Sequence, residues 1–284
     1  MTRLTPDVIK GIPETISSLD TALERIIGAD LRHVACSAAG ISTEDICFES
    51  YTVAVVPVTS GKGVITGFSE SVSAAVREIG MNSFVTEGSD VTGTAEAYRS
   101  GADIIFMADD ENFIAINTKA RMFTDNIRST AKGYVAALKC VEGDLAGKKV
   151  LVLGAGRVGT VATEILLEQG ATVEVSDIVW NKALVLERKH RSVRARADLE
   201  KAIQENRLIL NASPGKIPGK LIQEGAVISS PGVPYAFDSE GEAKAKIIHD
   251  VLSLGVAVMA VSSAVLSPIE SRAAEICGTG AIAL

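Results

Sequence analysis

Apolar residues recur every three to four positions early in the chain, at Val8, Ile12, Ile16, Leu19, Leu23, Ile26 and Ile27. That spacing places them on one face of a helix and predicts a helix over Pro6 to Ile27. Thr5 before Pro6 supplies a start signal, since a hydroxyl caps free N–H groups and proline is preset for the first helical position. The period then changes. Thr52 to Val58 (TVAVVPV) is a short β-branched run and predicts a buried strand. Val72, Ala75, Val76 and Ile79 form a helical stripe over Ser69 to Ile79. Asn82 to Thr86 predicts a second strand, Thr94 to Arg99 a short helix ended by Gly101, and Asp103 to Ala108 a third strand. This alternation predicts a parallel sheet with helices outside it.

Asn126 to Val141 has a longer helical pattern, with Ile127, Ala131, Tyr134, Val135 and Leu138 on one face. After the polar turn DLAGKK a second alternation begins. Strands are predicted at Lys149 to Leu153, Thr172 to Ser176, near Ser192 to Arg196, at Arg207 to Asn211 and at Ala226 to Ser229. Helices are predicted over Val158 to Gln169, near Lys182 to Lys189 and over Leu199 to Glu205. The apolar stretch Val251 to Leu266 falls short of the ~20 residues of a membrane span and is interrupted by Gly and Ser. It predicts a buried helix, or a strand followed by a helix. The expected fold class is α/β, in two domains. An N-terminal α/β domain over residues 1–125 is joined by a helix over 126–143 to a Rossmann-like domain over 144–284.

Composition narrows the function classes. The formal net charge is -7, and the one short basic stretch, Glu187 to Arg196, reads equally well as a solvated helix end, so no nucleic-acid partner is expected. Cys36, Cys47, Cys140 and Cys277 are scattered, with no C-x-x-C pair. That spacing argues against a disulfide framework or a zinc site and for a reduced, cytoplasmic setting. Charges are mixed throughout the first thirty residues, unlike a secretory signal. Neither a metal nor a membrane partner is expected, and a homodimer is left open.

Gly154, Gly156 and Gly159 form G-x-G-x-x-G between the strand KKVLVL and the helix that opens at RVG. The first glycine permits a tight turn, the second lets backbone approach a pyrophosphate, and the third lets helix pack on strand. The loop residues Ala155, Arg157 and Val158 complete this cofactor-binding segment, whose helix N-terminus offers free N–H groups to phosphate. Asp177 ends the next strand, where a carboxylate holds ribose hydroxyls. It would repel a 2′-phosphate, and Ile178, Val179 and Trp180 supply no cation, so NAD is the expected cofactor. The turns carrying Ser213-Pro214 and Pro231-Gly232 follow two later strands, where ligands of such sheets sit.

Nicotinamide chemistry also needs a group to take a proton. His33, His190 and His249 are poorly placed for that. Asp109, Asp110 and Glu111 lie just beyond the third strand, at its functional end, and also suit a helix cap. Ser69 and Glu70 form a second candidate pair. The loop VPVTSGKGVITG lacks the residues of a nucleotide-triphosphate loop, because Lys62 is followed by Gly63. Following a strand, it is expected to face the same crevice as the dinucleotide loop, one holding substrate and the other cofactor.

The stretches VPVTSGKGVITGFSESV, NSFVTEGSDVTG and IIFMADDENFIAIN closely resemble the N-terminal domain of the pyrrolysine synthase family, as do Leu4-Thr5-Pro6 and the SSPGVP turn. The resemblance covers most of the chain and is densest from Val53 to Asn117. It implies NAD-dependent oxidation of a dipeptide-like small molecule, 3-methyl-D-ornithyl-N6-L-lysine, with ring closure to pyrrolysine. Asp109 matches the aspartate of the family's MADD segment, which implies a role as base or as the group orienting a water. Leu4, Thr5, Val58, Thr59, Ser60, Phe68, Ser69 and Glu70 match the substrate-facing segments. Gly67 departs from the pattern, where an asparagine is often found, and nothing is carried over after Val251.

Two other readings use the same cofactor domain. TDNIRSTAKGYVAAL before LAGKKVLVLGAGRVG is similar to shikimate-type and methylene-pterin dehydrogenases, and a non-catalytic NAD-sensing module would keep the glycines and Asp177 alone. Replacing Asp177 by Ala is expected to erode the preference for NAD over NADP. Titrating both cofactors against the variant checks this, and an unchanged ratio removes Asp177 from the ribose.

Overall fold

The computed structural model describes residues 4–9 and 11–267. Cys277 lies outside them. The first expected helix is broken in two, α1 (Pro6–Ile9) and α2 (Ile12–Ile27). Gly11 stands between them at φ 86°, a left-handed conformation that a continuous right-handed helix does not contain. The sequence reading has no helix at α3 (Leu31–Ala39). Its buried face is Leu31, Val34, Ala35 and Cys36, and such small side chains leave a faint apolar stripe. Asp30 caps α3 by accepting from the His33 N–H at 2.7 Å.

The next five elements are β1 (Thr52–Val56), α4 (Phe68–Glu78), β2 (Asn82–Val85), α5 (Asp90–Arg99) and β3 (Ile104–Ala108). They follow the expected order closely. Beyond them stand β4 (Phe113–Asn117) and β5 (Met122–Asp125), which the sequence pattern did not announce. The first sheet runs β2-β1-β3-β4-β5. Its β1, β2 and β3 are parallel, but β4 is antiparallel to β3 and to β5, so the sheet is mixed rather than parallel. The reason lies in the short turn Asp109–Asn112: a parallel return needs a crossover of about a dozen residues or more.

Alternate β1 and β3 residues serve two cores. Val53, Val55, Ile104 and Phe106 face the main core with Val72, Ala75 and Val76 of α4. Ala54, Val56 and Ile105 face the opposite way, toward Ala97 of α5. The period-2 alternation of a strand thus builds a helix layer on each face.

Helix α6 (Asn126–Glu142) leads into the second sheet. That sheet holds β6 (Lys149–Leu153), β7 (Thr172–Ser176), β8 (Val193–Ala195), β9 (Leu208–Asn211), β10 (Ala226–Ser229) and β11 (Ala245–Ile248). Helices α7 (Arg157–Glu168), α8 (Trp180–Lys189), α9 (Leu199–Gln204) and α10 (Ser239–Lys244) are interleaved with them. All its strands are parallel, in the order β11-β10-β9-β6-β7-β8. This is the doubly wound order of a dinucleotide fold, with the direction of winding reversing between β6 and β9.

The apolar stretch near the C-terminus forms helix α11 (Ser253–Ala264). It packs on α6, α3 and α4 and on β4, so the chain crosses back to the first sheet after β11. Asn117 Nδ2 donates to the Ser263 carbonyl at 2.8 Å, and Ser263 Oγ donates to the Ala115 carbonyl at 3.0 Å. The sequence pattern shows one crossing between halves, and the described residues make two. Nearly every side chain of α11 is buried, so no polar stripe in the sequence says which half it joins.

Tyr134 of α6 sits at the join. Its side chain is fully buried, its hydroxyl donates to the Asp250 carbonyl, and it accepts from the Asp250 N–H at 2.9 Å. Ser229 Oγ at the end of β10 donates to the Tyr134 carbonyl at 2.6 Å. Removing the hydroxyl leaves two backbone groups of Asp250 without their partner. Tyr134→Phe is therefore expected to lower the unfolding free energy by about 1–3 kcal/mol in chemical denaturation. A loss below about 0.5 kcal/mol would show that the backbone finds other partners.

Candidate functional site

Both sheets turn the carboxyl ends of their strands to one cavity of about 480 Å³, a volume typical of small-molecule sites. From the first sheet come the loop after β1 (Val58, Ser60, Gly63 to Ile65), the start of α4 (Phe68, Ser69) and the end of β3 (Asp109, Asp110). Leu4 closes the wall beside them. From the second come the dinucleotide loop (Gly156, Arg157, Val158) and the turns after β9 (Ser213, Pro214) and β10 (Pro231, Gly232). The loops that follow β1 and β6 thus share one crevice.

Thirteen of the sequence-predicted residues line this space: Leu4, Val58, Ser60, Phe68, Ser69, Asp109, Gly156, Arg157, Val158, Ser213, Pro214, Pro231 and Gly232. Others stand off it. Thr5 and Glu70 are exposed outside the lining. Thr59 turns its hydroxyl to Asp90 Oδ2 at 2.5 Å, away from the cavity. Gly154, Ala155, Gly159 and Asp177 are not among the lining residues.

The dinucleotide loop has the geometry its glycines require. Gly154 adopts φ 91°. A Cβ on Gly159 would fall 1.8 Å from the Gly154 carbonyl oxygen, so helix α7 approaches the strand only because no side chain intervenes. A Cβ on Gly156 would meet nothing within 4 Å, which leaves open space where backbone can approach a ligand. Gly156 caps α7 without any side-chain bond, so the first-turn N–H groups face outward without a side-chain cap. Asp177 Oδ2 accepts from the Ala155 N–H at 2.6 Å and Oδ1 accepts from the Val179 N–H at 2.7 Å. The carboxylate is thereby fixed at the end of β7, beside the loop. An open helix N-terminus over a glycine cradle fits a pyrophosphate.

The turns after β9 and β10 are welded by buried Asn211. Its Oδ1 accepts from Ser213 Oγ at 2.8 Å, and its carbonyl accepts from the Gly232 N–H at 2.9 Å. Gly232 sits so close that a Cβ there would lie 2.2 Å from the Ser213 carbonyl oxygen. Across the cavity, Phe68 and Phe113 meet edge to face at 5.3 Å and give the first-sheet side an apolar surface.

Of the three carboxylates that line this cavity, Asp109, Asp110 and Asp250, the first and last differ most in setting. Asp109 is exposed, and its Oδ1 accepts from the Asn112 N–H at 2.6 Å and the Glu111 N–H at 2.8 Å. Those bonds favour the charged form and hold the carboxyl below the usual range. Asp250 follows β11 and is largely enclosed. Burial pushes its carboxyl up, although the N–H groups of Leu254 and Leu252 donate to Oδ2 at 2.7 and 3.1 Å. His249 beside it donates from Nδ1 to the Ser230 carbonyl at 2.9 Å. No group of three or more His, Cys, Asp or Glu side chains could hold a metal among the described residues, and no described helix is long and apolar enough to cross a membrane.

Residues 8–124 match the family model described as pyrrolysine biosynthesis protein PylD, N-terminal domain, and residues 122–230 match the alanine dehydrogenase/PNT C-terminal domain. The pyrrolysine synthase of Methanosarcina acetivorans is 34% identical over 267 residues, spanning 92% of this chain and 99% of that one. The pyrrolysine synthase of Methanosarcina barkeri is 33% identical, spanning 92% and 98%. The chain belongs to the pyrrolysine synthase family. Among solved structures, a shikimate 5-dehydrogenase from Thermus thermophilus, in complex with NADP(H) and shikimate, aligns with a TM-score of 0.52 over 81% of this chain and 99% of that one. Its identity of 20% makes this a likeness of fold.

Within that family frame, Gly67 has a simple reading. It adopts φ 83° at the start of α4, with nothing within 4 Å of a Cβ and no place in the cavity lining. Asparagine is among the few other residues that tolerate this conformation, so the departure conserves backbone.

The sequence reading missed Asn126, Thr130, Tyr134 and Asp250, which form the inner end of the cavity. The first three sit at i, i+4 and i+8 of α6, a polar stripe visible in the sequence. Tyr134 also belongs to the apolar face of that helix, which masks the stripe. Asp250 is hidden because AKII is too short to announce a strand, which would have placed Asp250 at a functional strand end.

Gly159→Ala is expected to weaken NADH binding by about tenfold or more, about 1.4 kcal/mol, while far-UV circular dichroism is retained. Fluorescence titration checks this, and wild-type affinity would mean the loop tolerates the side chain and is not the cradle described.

Proposed function

We propose that this chain, a nicotinamide-dependent dehydrogenase of the pyrrolysine synthase family, uses NAD to oxidise 3-methyl-D-ornithyl-N6-L-lysine and close the ring of pyrrolysine. The observation that carries this reading is the shared cavity. The loop after β1, which bears the family's most specific residues, and the dinucleotide loop face one space with Asp109 on its rim. The loop residues Gly156, Arg157 and Val158 and the turns of Ser213 and Pro231 would hold the nicotinamide cofactor, which when bound would supply the hydride acceptor for the carbon carrying the terminal ornithine amine.

The reaction oxidises a primary amine to an imine, releasing one proton. The substrate's own α-amine then adds to that carbon, and ammonia leaves as the new C=N bond closes the ring. The protein's task is to bind a flexible dipeptide with the α-amine near the oxidised carbon and to receive the proton. Phe68, Phe113 and Leu4 offer apolar surface to the methylene chains, while Ser60 and Ser69 offer hydroxyls near the loop. Asp109, held ionised by the Asn112 and Glu111 N–H groups, is assigned to the substrate amine, which it orients by a charge-assisted hydrogen bond. Its lowered basicity suits holding an amine better than removing a proton at neutral pH. Asp250, pushed up by burial at the inner end, is closer to the range of a working base.

NAD rather than NADP is supported by the fixed Asp177 carboxylate and by the uncharged Ile178, Val179 and Trp180 that follow it. A 2′-phosphate would meet a negative charge there.

Purified protein mixed with NAD and the methylornithyl-lysine dipeptide is expected to form NADH and a product of pyrrolysine mass. Turnover of a shikimate-type alcohol without turnover of the dipeptide would replace this reading. Asp109→Asn is expected to leave NAD affinity within about twofold and to cut kcat by about a hundredfold through lost orientation of the amine. Unchanged kcat would remove Asp109 from the reaction.

A further inference from the structure

The loop between β1 and α4 lines the cavity and contains no helix or strand. Gly61, Gly63 and Gly67 all adopt left-handed φ values, between 69° and 83°. Inside the loop the Gly63 N–H donates to the Ser60 carbonyl and the Phe68 N–H donates to the Ile65 carbonyl. Val64 is 49% exposed although it lines the cavity. Ile65 anchors its far end on the main core, but a segment this rich in glycine loses much backbone freedom when it is held in one shape.

Two carboxylates from other elements grip it. Asp90, at the start of α5, accepts from the Thr59 N–H at 2.9 Å and from Thr59 Oγ1 at 2.5 Å, while its own N–H donates to the Pro57 carbonyl. Asp90 itself adopts φ 50°, an uncommon conformation for a non-glycine residue. Asp110, on the β3–β4 turn, accepts from the Lys62 N–H at 2.8 Å through Oδ2. The approach is so close that a Cβ on Gly61 would lie 2.3 Å from Asp110 Oδ2. The two aspartates of MADDEN therefore divide their work. Asp109 closes its own turn through Oδ1, and that turn aims Asp110 across to the loop.

We propose that Asp110 and Asp90 are positioning residues that clamp the loop after β1 into the wall of the substrate cavity. The assignment rests on the function proposed above only in naming which ligand the wall serves. Ordering the wall before the substrate arrives removes an entropic cost from binding, so the clamp acts on substrate affinity more than on the chemical step.

Lys62 makes the loop its own reporter, because trypsin cleaves after lysine. Limited trypsinolysis of the full chain, read by intact mass, is expected to nick Asp110→Ala at Lys62 about tenfold faster than the wild type, with cleavage at other sites unchanged. Asp110→Asn keeps an amide oxygen that accepts from the Lys62 N–H, so its rate should fall between the two. Gly61→Ala disturbs the same contact from the loop side and should also nick faster at Lys62. In steady-state kinetics, Asp110→Ala should raise KM for the dipeptide about tenfold, with kcat and NAD affinity within about twofold. Unchanged cleavage at Lys62 in both Asp110→Ala and Gly61→Ala overturns the proposal. Acceleration spread over all tryptic sites overturns it too, by assigning Asp110 to global stability. If the wild type does not turn over the dipeptide, the function fails while the proteolysis still decides the clamp.

Discussion

The Tyr134 hydroxyl and the Asp250 backbone form the interaction on which the rest depends. Tyr134 belongs to the helix that leaves the first sheet, and Asp250 to the turn that leaves the second. Their two partly buried hydrogen bonds fix the spot where the chain crosses back to become α11. A buried donor and acceptor left unpaired cost more than a formed bond gains, so this join tolerates little drift. The cavity is built around it: Tyr134 and Asp250 both line its inner end, and both halves are registered to the same residues.

That registration explains how one cavity has two characters. The cofactor side is rigid, with glycines that admit no Cβ and turns tied together by Asn211. The side proposed for the substrate is a glycine-rich loop held by side chains from α5 and the β3–β4 turn. A cofactor shared across many dehydrogenases suits a preformed cradle. A flexible dipeptide requires a wall that can be ordered around it.

The carboxylates follow the same division. Asp109 rests in a turn of backbone N–H groups and keeps its charge. Asp250 lies at the enclosed end, where burial disfavours charge. Position along the cavity, rather than residue type, sets how each can act on a proton.

The α/β class, the glycine turn between β6 and α7 and the place of Asp177 at the end of β7 were legible in the sequence, because they depend on local periodicity and on glycines required by backbone sterics. The sequence also placed the loop of Val58 and Ser60 and the Asp109 turn at strand ends, through the β-branched runs before them. Only the tertiary structure decided that β4 and β5 reverse the sheet, that α11 returns to the first half, and that Thr59 serves Asp90 instead of the cavity. The last two turn on partners distant in the chain, whereas the reversal is local and was masked because the Asp109–Asn112 turn reads equally well as a helix cap. An all-buried helix carries no stripe to name its neighbours, and a hydroxyl carries no sign of which carboxylate will reach it.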